Sequence, residues 1–190
     1  MTEKQDAIAA LERGEAARRD KRPDEARRAF AEAAGVLRSD GSRGELAHAL
    51  TRQAQIERDE RLFARALEYQ LEALAIQRTL GDRKRLAHVV RHVGDILQDE
   101  GRHAEADPHY NEMLNLYRAE SEVPPLEFAN AIRSVALHNE LLGKSKEARR
   151  LWQEARDRYA ALNALFLSLT GKSENPGVKE ADAHLAALRP

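Results

Sequence analysis

The 190 residues contain no cysteine. That excludes disulfides, thiolate metal sites and a cysteine nucleophile, and it suits a reducing compartment. Aromatic residues make up only 5% of the chain. Valine and isoleucine are sparse, which argues against a sheet. No apolar run reaches the length of a membrane span. The longest candidate, Tyr159 to Leu169, is too short and carries Asn163 and Ser168. An excess of either charge is also missing: 31 Lys and Arg stand against 32 Asp and Glu, for a net charge of −1. Such a balance gives no general pull toward nucleic acid or anionic membranes. The polar start, Met1 to Asp6, lacks the apolar core of a secretory signal. These absences read as a soluble, cytoplasmic chain with no nucleic-acid and no membrane partner.

What is present is helix-forming. Ala, Leu, Arg and Glu dominate, and all four have high helix propensity. Hydrophobic residues at 42% and charged residues at 33% suit amphipathic helices with much solvated surface.

Four segments resemble one another. They are Glu25–Ala33, Arg65–Ala73, Glu105–Met113 and Glu147–Ala155, anchored on Ala26, Ala66, Ala106 and Ala148 with a period of 40, 40 and 42 residues. Twelve residues before each anchor stands a small residue: Gly14, Ala54, Gly94 and Ala136. A small residue there lets two antiparallel helices approach closely. Each unit reads as a helical hairpin. First helices are expected over about 4–20, 43–59, 82–100 and 125–142, and second helices over about 23–38, 62–80, 103–119 and 144–169. Gly81, Gly101 and Gly143 fit helix ends, Asp82 a cap, and Pro124-Pro125 a helix start. Pro108 should kink its helix or delay its start. The tail predicts a short capping helix at about 176–189, with Ala181, His184, Leu185 and Leu188 inward, covering the apolar stretch Leu162, Leu165, Phe166 and Leu169. The expected architecture is therefore all-α. It is a right-handed α-α superhelix of four hairpins (about 4–38, 43–80, 82–119 and 125–169) plus the cap, one domain over 1–190.

This pattern resembles the tetratricopeptide repeat family. The family's small residue is matched by Gly14, Ala54, Gly94 and Ala136, and its alanine by all four anchors. Its large aromatic is matched by Phe30, Tyr110 and Trp152, with Gln70 departing in the second unit. Other positions depart too. The first Trp position holds Ala10, Leu50, Val90 and Ile132, the Tyr position Ala17, Glu57, Leu97 and Asn139, and the closing proline is absent. The period exceeds the usual length of about 34 residues. Such long units look like the kinesin light chain-type branch, which is frequent in bacterial proteins.

The resemblance implies binding, with first helices lining a concave groove. Its variable ligand positions select His48, Thr51, Gln55, Arg58 and Asp59 in the second unit. They select His88, Arg91, Asp95, Gln98 and Asp99 in the third, and Asn130, Arg133, Leu137 and Glu140 in the fourth, with Arg52 and His92 flanking. His48, His88 and Asn130 share one repeat position, and Arg91 and Arg133 another. Arg and His can grip a carboxylate through charge-assisted hydrogen bonds. The bland alternative is a solvated face with local pairs such as Arg91–Asp95. The carboxylate-clamp variant is not matched, because no lysine occupies a groove position.

The function expected is a protein- or peptide-binding scaffold or adaptor, not an enzyme, with no cofactor. Two alternatives stand beside it. His88, His92, Asp95 and Asp99 share a helix face and could ligate a metal or a small molecule, although Val89 stands where a zinc-protease glutamate would be. A self-assembling homodimer is the other. The basic run Arg18–Arg22 with Arg27 and Arg28 carries interspersed acids and reads as a solvated helix end.

Overall fold

The computed structural model describes residues 3–120, 122–173 and 175–188. Among them there are ten helices and no strand. The chain divides into two compact units, Met1–Arg102 and His103–Pro190.

The first unit holds α1 (Glu3–Arg19), α2 (Pro23–Asp40), α3 (Arg43–Asp59), α4 (Phe63–Leu80) and α5 (Arg83–Asp99). Pro23 opens α2 at a position whose N–H would be unbonded anyway. The Asp82 side chain caps α5 by accepting from Arg85 N–H at 2.9 Å. The anchors Ala26 and Ala66 are fully buried, as are Ala10, Leu50 and Val90 at the first Trp position. Gly14 is required by packing, because a Cβ there would lie 2.6 Å from the Phe30 ring. Burying Phe30 contributes about 2–3 kcal/mol.

The second unit holds α6 (His103–Ala119), α7 (Pro125–Leu141), α8 (Ser145–Ala161), α9 (Asn163–Thr170) and α10 (Pro176–Ala187). Tyr110 and Trp152 fill the aromatic positions and are buried, over the buried anchors Ala106 and Ala148. Helix α6 begins at His103 and runs through Pro108. The expected delay does not occur, since a proline there removes one hydrogen bond early in the helix and leaves the later ladder intact.

One turn recurs at a fixed distance before each anchor. Lys21, Arg61, Gly101 and Gly143 all have positive φ, at 57, 60, 85 and 69°. In each turn the next residue's N–H reaches back to a carbonyl five residues earlier: Arg22 to Ala17, Leu62 to Glu57, Arg102 to Leu97, Lys144 to Asn139. The last two turns use glycine, which adopts this backbone freely. The first two force lysine and arginine into it.

Two expectations need correction. The helix expected over 144–169 is broken at Leu162, which separates α8 from α9. The leucines of α9 are not covered either: Leu165, Leu167 and Leu169 are 57%, 49% and 75% exposed. Helix α10 packs instead on α7 and α8. Val178 and Ala181 are buried there, and a Cβ at Gly177 would lie 2.6 Å from the Tyr159 ring. His184 stacks on Trp152 at 4.1 Å. Of the predicted cap, Arg189 lies outside the described residues. No helix among the described residues is long and apolar enough to cross a membrane.

Candidate functional site

The expected groove residues fall into two separate sets, one in each unit. In the first unit, α1, α3 and α5 carry a hydrogen-bonded polar row. Arg52 pairs with Glu15 of α1, and its Nη1 donates to Gln55 Oε1 at 2.8 Å. That bond fixes the Gln55 amide, so its Nε2 is the atom 3.1 Å from His92 Nε2. An amide nitrogen can only donate. His92 Nε2 is therefore the acceptor, and its proton sits on Nδ1, which faces Asp95 Oδ2 at 3.5 Å. His88 Nε2 also approaches His92 Nε2, at 3.1 Å, with the rings edge to face. One imidazole thus links α3 and α5.

The row continues on α5. Arg58 Nε donates to Asp99 at 2.6 Å and stands 3.7 Å from Asp95. Arg91 stands 3.8 Å from Asp95. His48 is 3.8 Å from Glu15. Three of these histidines are held neutral. Burial, then the neighbouring His92 and Arg91, push His88 down to about 3. Burial lowers His92 against the opposing pull of Asp95. Burial and Arg52 lower His48. Desolvation penalises the charged imidazole, and nearby guanidinium groups add to that. His48 remains half exposed at 47%; Arg91 is 26% exposed, with its Nε buried.

Thr51 does not belong to this surface. It is buried, and its hydroxyl donates to Ala47 O at 2.9 Å. The four-residue metal candidate is also corrected. His88 and Asp95 lie on opposite nitrogens of the His92 ring, and Asp99 bonds Arg58, so the four share no common point. Among the described residues no group of three His, Cys, Asp or Glu side chains is placed to hold a metal ion.

In the second unit the same repeat positions are occupied internally. Arg133 donates from Nε and Nη2 to both Glu180 carboxylate oxygens, at 2.6 and 2.5 Å. This pair holds the Glu180 carboxyl below its usual range. Asn130 Oδ1 accepts from the Tyr159 hydroxyl at 2.7 Å. Burial pushes that phenol up to about 12.

Two features escaped sequence reasoning. Glu57, at the family's Tyr position, is fully buried and accepts from Arg27 Nε at 2.7 Å. Within the expected basic run, Arg18 pairs with Glu15, Arg22 with Asp20 and Glu25, and Arg27 also with Asp24. The second feature is a cleft of about 380 Å³ between α6, α7 and α8, lined by Asn111, Asn115, Arg118, Asn139 and Arg150. Its only sequence signal is the spacing of Asn111, Asn115 and Arg118 along one face of α6.

No protein-family model matches the sequence, and no curated protein matches it either. Solved structures do. A putative kinesin light chain with nearly identical TPR-like repeats from Podosopora anserina superposes with a TM-score of 0.76 at 14% identity, covering 99% of this chain and 87% of that one. The fold is that of tetratricopeptide-type helical repeats. BtubC (BKLC) from P. vanneervenii gives 0.73 at 20% identity, over 79% of this chain and 61% of that one. A Rap protein complexed with competence and sporulation factor gives 0.73 at 19%, over 99% and 49%. The chain spans less than two thirds of the length of BtubC and about half that of the Rap protein.

Proposed function

We propose that this chain is a non-enzymatic scaffold that binds a protein or peptide across the polar row of α3 and α5. The observation that carries this reading is the linked set Glu15, Arg52, Gln55, His92 and His88. Partly exposed ion pairs contribute about 0–1 kcal/mol each, so the row adds little to the fold. Three histidines held neutral lower stability in acid. A set of side chains that serves the fold so poorly is what a binding surface looks like. His48 and Arg91 at the rim would grip an acceptor group such as a carboxylate. Gln55 and His88 would meet the backbone of an extended segment. The neighbour solved with competence and sporulation factor supports reading this fold as a platform for ligands.

The test is affinity capture from lysate with the intact chain against His48→Ala/Arg91→Ala, followed by a direct titration with the captured partner. Loss of about tenfold or more in affinity, about 1.4 kcal/mol, is expected with unchanged helicity by circular dichroism. Equal affinity in both chains would remove the α3–α5 row as the site. Arg133 is not used in this test, because its loss would also loosen α10.

A further inference from the structure

We infer that a second copy of this chain is the partner of the second unit's end, by exchange of α10 between two chains. Three observations in that unit converge on this. The first is the break between α8 and α9. Leu162, at the break, has φ −93° and ψ −2°, close to helical values, and neither glycine nor proline occurs between Ser145 and Thr170. No glycine or proline ends the helix there. The bend is held from outside, by Asn163 Oδ1 accepting from Asn175 N–H at 2.9 Å.

The second observation is α9 itself. It has no charged residue, no buried residue, and three leucines about half exposed or more. Straightened onto α8, it would place Leu162, Leu165, Phe166 and Leu169 on one stripe at three- and four-residue spacing. Two such stripes from two copies can pack as an antiparallel pair, and no like charges oppose them.

The third is how α10 is held. Only Val178 and Ala181 are fully buried. Beside the ring contacts of Gly177 and His184 it is held by polar matches: Glu180 with Arg133, Asp182 with Arg156 at 2.5 Å, and His184 with Glu140 at 2.9 Å. Straightening α8–α9 would extend the axis by about 12 Å and carry α10 off its own slot. A second copy's α10 refits that slot with the same three polar matches, because the sequence is the same. Exchange of an identical element is a low-cost route to dimers. The exposed leucines of α9 then gain the cover they lack in one chain.

Because the chain has no cysteine, single cysteines report the exchange. Arg149 Nη1 lies 3.4 Å from the Leu188 carbonyl, so position 188 is within reach of the Arg149 side chain when α10 is seated. Chains carrying Arg149→Cys and chains carrying Leu188→Cys are mixed at low and at high protein concentration. They are treated with a short bismaleimide and weighed by light scattering and mass spectrometry. The expected result is a dimer that grows with concentration and contains the cross-linked mixed pair. Asn163→Ala should raise the dimer fraction several-fold, and Leu165→Ser/Leu169→Ser should lower it several-fold, with helicity unchanged in both. A chain that stays monomeric at every concentration overturns the inference. So does a dimer in which the two singly substituted chains do not cross-link to each other, while a chain carrying both substitutions cross-links within itself.

Discussion

The two units give the same repeat position different partners. Arg91 in the first unit leans on Asp95 at 3.8 Å and keeps part of its surface in water. Arg133 in the second is held by a forked pair with Glu180 of α10, its side chain still 36% exposed. Likewise His88 meets another imidazole, while Asn130 is taken by the Tyr159 hydroxyl. A repeat position therefore fixes where a side chain stands, not which partner it meets. The partner is decided by what packs above it.

Buried charge gives the largest test of this contrast. Arg27→Ala leaves Glu57 buried with only Arg65, at 3.6 Å. A loss of about 3 kcal/mol is expected. Glu180→Ala, which breaks the partly exposed pair of the second unit, should cost about 1 kcal/mol or less. Urea denaturation of both variants compares them directly, and equal losses would erase the distinction.

Acid provides the next test. A histidine whose folded pKa lies below its unfolded value binds fewer protons folded than unfolded. Its penalty is absent above the unfolded value of 6.5 and grows as pH falls toward the folded value of about 3. Moving from neutral to about pH 5 should cost roughly 2 kcal/mol from His88 alone. His88→Asn gives the first unit the residue that the second unit has at that position. It should flatten the dependence of melting temperature on pH in this range, and an unchanged slope would mean that His88 titrates normally.

The smallest effect concerns the turns. Lys21→Gly and Arg61→Gly give the first unit the residue that Gly101 and Gly143 supply elsewhere. Each should add about 1 kcal/mol. Gly143→Ala should remove a similar amount, and thermal melts of the three variants suffice to check the signs.

Much of the helical layout was legible because a period of 40 to 42 residues repeats the small residue, the alanine anchor and the aromatic. Those choices are dictated by close helix contact, which leaves few residue types. The candidate site was less legible. Arg133 and Glu180 are 47 residues apart, and nothing in the spacing announces the pair. Glu57 stands where an aromatic was expected, and its burial depends on Arg27 from another hairpin. Lys21 and Arg61 adopt a glycine-like backbone without glycine, since the hairpin requires that geometry whatever residue is present. The break at Leu162 is invisible locally because its cause, Asn175, lies 12 residues away.

The recurring turn has a consequence for how such a chain can change length. Within each hairpin, the distance from the positive-φ residue to the anchoring alanine is constant. One residue inserted inside a helix would rotate every later side chain by about 100° and turn the polar row of α3 or α5 away from its neighbours. The extra residues of the longest period instead fall between the end of α6 at Ala119 and the start of α7 at Pro125. Growth by duplication of a whole unit keeps all phases intact, whereas growth by single codons is tolerated only at those joints.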